Sequence, residues 1–304
     1  MGFLYPTSLD NFSKEGRASW EAVLGESLRS ATKRLLKEGL ITQTKDPIHL
    51  LQYKYSTDEL RNLARQIGVA TSGTKEVVAR RIVEKDPRFA AQKAKTCRKV
   101  YVCTETGRIL ARQWKEQAYQ QRLQAEKAVM QLLQARDFQA AVDTFLAYDR
   151  QRPFPLSHME GFGWRGREGT IKFLKRLWRI KPAILQEIPP KEMHPLRIAA
   201  AMTVFFGGRI LKRWLPEKQI HPRLENDAAA RMILFATLKK DNLAEHRRSS
   251  VVKAIKISAA PDACEACKAL VGVYPKDNVP ELPNPACTNP MGCRCTYIPV
   301  IDTS

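Results

Sequence analysis

Residues 55–87, YSTDELRNLARQIGVATSGTKEVVARRIVEKDP, decide how the N-terminal part of this chain folds. Leu60, Leu63, Ala64 and Ile67 recur at helical spacing, and Thr57 stands where a capping hydroxyl is needed. Gly68 ends that helix, and the loop VATSGT carries a second glycine, Gly73. Thr74 then caps a second helix that turns Val77, Val78, Ile82 and Val83 inward and stops on the approach to Pro87. The other side of the pair carries Arg61, Arg65, Lys75, Arg80, Arg81 and Lys85. The pattern predicts a helix–loop–helix with an apolar seam and a basic outer face.

LRNLARQIGV, the SGTK of the loop and VVARRI together resemble a SAP domain, a short helix–extended-loop–helix DNA-binding module. Val69 departs from the leucine more usual there, and the resemblance covers about a tenth of the chain. It implies that Lys75, the amides around Gly73 and Thr74, and the side chains of Arg61, Arg65 and Arg80 meet DNA phosphates. Elementary electrostatics points the same way, because the free amides of a helix N-terminus beside cations attract anions.

Charge extends this expectation to the whole chain. Fifty-one Lys and Arg against thirty-one Asp and Glu leave a net charge of +20 over 304 residues. Such a balance favours a polyanionic partner, since neutralised phosphates release counterions; a membrane surface or a merely solvated basic face competes with that reading. The start, MGFLYPTSLDNF, shows no signal peptide, and the longest uncharged apolar run, residues 198–208, is too short to cross a bilayer. The expectation is a cytoplasmic protein, nucleoid-associated or in a phage particle, that binds double-stranded DNA with weak sequence preference and no membrane.

Upstream, Ala22, Leu24, Leu28, Ala31, Leu35 and Leu36 predict a helix over 19–38 closed by Gly39. Downstream, KVYV suggests a short strand, and residues 104–152 read as two long helices broken near Arg136 and Asp137. Pro153 and Pro155 mark a linker. Gly161, Gly163 and Gly166 form a formal G-x-G-x-x-G, but no hydrophobic strand precedes them, so a hinge is expected rather than a dinucleotide site. Residues 171–248 are helical again, with Trp178, Trp214, Phe205, Phe206 and Phe235 expected in the core. The interleaved KRLWRIK and LKRWL suit either phosphate contact or amphipathic helices whose cations snorkel. His194-Pro195 and His221-Pro222 are expected to begin helices.

The last forty-odd residues differ in kind. Residues 261–304 hold three basic and five acidic residues, and five of the chain's seven cysteines lie there. Prolines at 275, 280, 283, 285 and 290 leave little room for helix. So loop-rich a segment buries too little apolar surface to hold itself together. Cys264-x-x-Cys267, Cys287 and Cys293-x-Cys295 offer five candidates for the four corners of a structural Zn²⁺ site; disulfides are the competing reading. Cys264, Cys267, Cys293 and Cys295 are the favoured set, with Cys287 as the spare or as the substitute for Cys293.

The same segment resembles the C-terminal end of phage head-morphogenesis (Mu gpF-like) minor head proteins through Cys264, Cys267, Gly272, Pro283, Cys293, Arg294 and Cys295. The His-Pro that often precedes the family's Cys-Arg-Cys is absent. The resemblance implies a shared zinc-stapled tail that can dock a protein partner. No catalytic constellation stands out, although a nuclease using dispersed carboxylates such as Glu225, Asp227 and Glu245 would leave little local trace. The expected architecture is mainly α: an N-terminal helical segment (1–54), the SAP-like module (55–87), a basic helical region (88–152), a second helical domain (153–255) and a Cys-rich zinc-binding tail (256–304).

Overall fold

The computed structural model of the chain describes residues 6–96, 98–153, 155, 165–207 and 210–301. It is mainly helical, with twelve α-helices among the described residues, and divides into two compact units, residues 1–120 and 121–304.

In the first unit the helix expected over 19–38 is two. α1 (Lys14–Leu24) ends at Gly25, and the Ser27 hydroxyl accepts the Ser30 amide to start α2 (Leu28–Lys37) afresh. The break rotates the apolar stripe, so Leu28 and Ala31 are buried while Leu24 and Leu36 are exposed. β1 (Ile41–Gln43) follows and pairs antiparallel with β2 (Tyr101–Cys103), the strand expected from KVYV.

Between these strands lie α3 (Pro47–Lys54), α4 (Thr57–Gln66), α5 (Lys75–Lys85) and α6 (Pro87–Ala94). The predicted pair is α4 and α5, but its core is shared by all four: Leu51, Leu60, Leu63, Ala64, Val78, Ala79, Ile82, Ala90 and Ala94 form one cluster. Two short helices bury too little alone, and α3 and α6 supply the missing apolar surface. Ser56, not Thr57, caps α4 through a capping box with Glu59. Val77, expected inward, is exposed.

α7 (Glu105–Gln134) begins in the first unit and continues into the second. There it is followed by α8 (Phe138–Asp149), α9 (Gly166–Arg179), α10 (Pro190–Phe206) and α11 (Asn226–Arg248). The break falls at Arg136 as expected, and Asp137 caps α8 by accepting the Ala140 amide at 3.0 Å. Trp178, Trp214, Phe205 and Phe206 are buried, and Phe235 half-buried. Gly161 and Gly163 lie outside the described residues, while Gly166 starts α9. His194 and Pro195 sit one turn inside α10 rather than at its start, because Pro190 already occupies the first position. His221 precedes α11 and pins a turn, its Nδ1 accepting the amides of Arg223 and Leu224 at 3.1 and 2.9 Å.

Glu126 is 2% exposed. Its carboxylate accepts from Arg122 (2.7 Å), twice from Arg213 (2.7 and 2.8 Å) and from the indole N–H of Trp214 (2.9 Å). A buried carboxylate costs several kcal/mol unless paired, and here four donors pair it.

The chain closes on a three-stranded antiparallel sheet in the order β4 (Gly272–Pro275), β3 (Val252–Ser258), β5 (Thr296–Ile301). Val252, Ile255 and Ile257 of β3 join the same core as α8–α11, and so do Cys267, Cys287, Cys293 and Cys295. The tail and the second helical domain therefore share one core.

Candidate metal centre and nucleic-acid interface

Cys264 is the N-cap of a single helical turn, α12 (Glu265–Lys268). The amides of Cys267 and Lys268 both donate to the Cys264 carbonyl, at 2.9 and 3.0 Å, which folds C-x-x-C into a tight knuckle. The other cysteines arrive on turns that begin Asn-Pro. Asn284 Oδ1 accepts the Ala286 amide at 3.0 Å, and the Asn284 carbonyl accepts Cys287 N–H at 3.1 Å. Asn289 repeats the device, with Oδ1 on the Met291 amide at 2.9 Å and its carbonyl on Gly292 N–H at 2.8 Å, just before Cys293. Asn-Pro initiates turns because the asparagine side chain hydrogen-bonds its own backbone two residues on. β5 then follows Cys295 directly.

All five expected sulfurs meet. Those of Cys264, Cys267 and Cys287 lie within 4.8 Å of one another, as do those of Cys267, Cys293 and Cys295, with Cys267 common to both groups. Cys264 Sγ is 3.8 Å from Cys287 Sγ, and Cys267 Sγ is 3.9 Å from Cys293 Sγ. A disulfide needs about 2.05 Å, so these pairs are thiols. A tetrahedron of sulfurs about 2.3 Å from a central ion has edges of about 3.8 Å, so the spacing fits a metal ion. Cys287, on spacing the spare or the substitute for Cys293, lies beside Cys264 and Cys267.

The surroundings also suit bound sulfur. Asn284 N–H donates to Cys293 Sγ at 3.2 Å, Thr288 N–H to Cys264 Sγ at 3.4 Å, and Asn284 Nδ2 approaches Cys267 Sγ at 3.7 Å while donating to the Ala266 carbonyl at 2.9 Å. Burial raises the Cys264 thiol, but the backbone amides of Thr288 and Cys267 outweigh it and hold it down at about 6. Burial pushes the Cys267 and Cys287 thiols far up and Cys295 to about 11, the last helped by Cys293 beside it. So many thiolates cannot ionise together in a buried pocket without a cation to share. Lys239 of α11 is half-buried near Cys293 and Cys295, and Arg294 pairs with Asp262.

Sequence reasoning missed Asn284, Thr288, Lys239 and Met232, whose Sδ accepts Cys293 N–H at 3.3 Å. The repeated Asn-Pro before a cysteine was the available signal for Asn284. Nothing in the sequence ties Met232 or Lys239 to a segment some sixty residues on. Among the described residues, the only groups of three or more His, Cys, Asp or Glu side chains spaced to hold a metal are these two cysteine groups. Asp227 instead pairs with Arg231 at 3.2 Å on the same helix.

The α4–α5 loop gives the second candidate. Gly73 takes φ 104°, a conformation open to glycine, and the Thr74 hydroxyl accepts the Val77 amide at 3.4 Å. That cap leaves the Lys75 and Glu76 amides without intrahelical partners, as in any first helical turn. Arg81 is not a free cation of the outer face: its Nη1 donates to the carbonyls of Ala70 and Ser72 at 3.2 and 2.6 Å and braces the loop. Arg61 pairs with Asp58 at 3.2 Å, Arg80 with Glu76 at 2.8 Å, and Arg65 hydrogen-bonds Asn62. Lys75 is half-buried, and burial lowers its ammonium pKa against the opposing pull of Glu59. The face is thus a mixture of cations and acids, nine Lys and Arg against five Asp and Glu over residues 47–94. Trp178 and Trp214, by contrast, are buried and offer no ring for stacking on bases.

No helix of the described residues is long and apolar enough to cross a membrane. Comparison of the chain with protein-family models, curated proteins and solved structures finds no match.

Proposed function

We propose that this chain is a DNA-binding protein that grips the phosphate backbone through the α4–loop–α5 element, with a structural zinc ion bracing the second unit. The observation that carries the reading is the N-terminus of α5: Gly73, Thr74 and Lys75 present two unpaired helix amides beside a lysine, with Arg61, Arg65 and Arg80 on the same two helices. The ion pairs of Arg61 and Arg80 do not count heavily against it. Exposed intrahelical pairs are worth well under about 1 kcal/mol, so a phosphate exchanges with Asp58 or Glu76 at little cost. Contacts of this kind recognise charge and shape rather than bases, which accords with weak sequence preference.

Zinc is the ion we assign to the cysteine cluster, because an all-thiolate, closed donor set, buried except at Cys264, suits Zn²⁺ and leaves no position for a substrate. Four of Cys264, Cys267, Cys287, Cys293 and Cys295 would hold it. What it supplies is cross-linking of the knuckle to the two Asn-Pro turns.

Fluorescence anisotropy of the full chain on a short duplex tests the first claim. Lys75→Glu should weaken binding on the order of tenfold or more at low salt, since it removes a cation and places an acid at the helix N-terminus. Unchanged affinity would remove the α5 N-terminus from the account. A second reading, a minor-head-like structural protein of a phage or prophage, draws support from the convergence of Cys264, Cys267, Cys293 and Cys295 in one site. Co-sedimentation with phage particles rather than with nucleoid DNA would favour it.

A further inference from the structure

Arg136, where α7 turns into α8, has φ 59° and is the sole described residue other than glycine with a positive φ. Its N–H donates to Leu133 O at 3.1 Å and the Asp137 N–H to Leu132 O at 2.9 Å, so it holds the helix-ending position that glycine or asparagine usually fills. An arginine there carries a steric cost that glycine avoids. Such strain persists where the side chain is needed.

Two residues on, the Phe138 ring stands edge-on to Trp178 of α9, centroids 4.9 Å apart, and Trp178 in turn meets His194 of α10 at 6.0 Å. Arg197, one turn along α10, donates Nη2 to the Ile180 carbonyl at 2.9 Å. Trp178 Nε1, His194 Nδ1 and Arg197 Nε are shielded from solvent and meet no partner among the described residues. Trp178 itself is 8% exposed. Buried polar atoms left unpaired are costly and rare; the indole and guanidinium nitrogens are donors that call for an acceptor, and His194 Nδ1 becomes a third in its Nδ1–H tautomer. Asp137, the neighbouring carboxylate, already accepts the Ala140 amide. The charges acting on this corner are cationic: burial, then Arg136, lowers the pKa of both His194 and Arg197, and Arg197 adds to the effect on His194.

We infer that Arg136, Trp178, His194 and Arg197 form a binding site for a tetrahedral oxyanion, a phosphate group either free or as a phosphate ester. Two guanidinium groups supply charge, the indole supplies a directed donor, and the imidazole adds a second in its Nδ1–H tautomer, the combination that phosphate recognition uses. This site lies in the second unit and does not depend on the α4–α5 reading.

Thermal unfolding of the full chain in rising inorganic phosphate, with chloride holding ionic strength constant, tests it. The wild type should show a saturable rise in Tm. Arg136→Gly should be no less stable in chloride, because glycine accepts the left-handed conformation, yet lose the saturable rise. Arg197→Gln should weaken the phosphate response on the order of tenfold or more. Lys75→Glu should leave it intact. Competition by a short duplex would assign the site to a nucleic-acid phosphate, and its absence to a free phosphate; either outcome supports an oxyanion site. A wild-type response that only climbs without saturating, as excluded salts produce, or one that Arg136→Gly retains, overturns the inference.

Discussion

Cys267 is the one sulfur common to both close groups, so a site that joins the two groups is centred on it. Cys267→Ser should therefore reduce the bound metal from one equivalent to none, measured by elemental analysis of the purified chain, whereas serine at the one cysteine outside the set should leave it bound. All five clustered cysteines were legible from spacing alone, but the turns that bring them together were not. Nineteen residues separate Cys287 from Cys267, and the turn built on Asn284 returns it to Cys264. Glu126 was not legible either, because its partners Arg213 and Trp214 lie nearly ninety residues away. Burial would raise its carboxyl, but Arg213, Arg122 and Trp214 together outweigh burial and hold it below the ordinary 4.5. A carboxyl whose folded pKa is depressed contributes stability that is complete above its unfolded value and is lost as pH falls through the folded one. Urea midpoints should thus fall on acidification below about pH 4.5. Glu126→Gln should flatten that dependence while costing about 3–5 kcal/mol near neutrality, as a broken buried pair does.

At the scale of elements, the helices with regular apolar spacing were readable and the strands largely were not. α4, α5, α7, α8 and α11 follow their stripes and breakers, although Ser56 rather than Thr57 caps α4 and Val77 of α5 is exposed. β3 was hidden for a definite reason: a register shift between Val252 and Ala254 interrupts alternation, so Val252, Ile255 and Ile257 face the core out of period. α1 and α2 were fused because the stripe continues in sequence across Gly25 while the backbone does not. The turn after Asn289 makes a sharp test of local geometry. Gly292 has φ 79°, and a Cβ there would stand 2.7 Å from Met232 Cε and 2.9 Å from its Sδ. Met232 cannot simply swing away, since Sδ accepts Cys293 N–H. Gly292→Ala should cost roughly 1–3 kcal/mol in urea unfolding, with a matching loss of metal retention against a chelator. An alanine variant as stable as the wild type would mean that the turn and α11 are not locked together.

At the scale of the molecule, the mainly α reading was correct, because helical periodicity covers most of the chain. Residue 255, where a boundary was expected, lies within β3, and α3 and α6 share the core of the pair expected at 55–87. Boundaries drawn from composition follow charge and proline content, whereas cores follow contacts between distant apolar residues. The charge itself is distributed, +20 over the chain with the cysteine-rich tail slightly acidic, so a polyanion would be held by the helices. The most direct test of that claim is the salt dependence of duplex binding by the full chain, plotted as log affinity against log salt. Four phosphate contacts from Arg61, Arg65, Lys75 and Arg80 predict a slope of about −3 to −4, and steeper if the basic helices of the second unit also engage. A slope near zero would contradict the account.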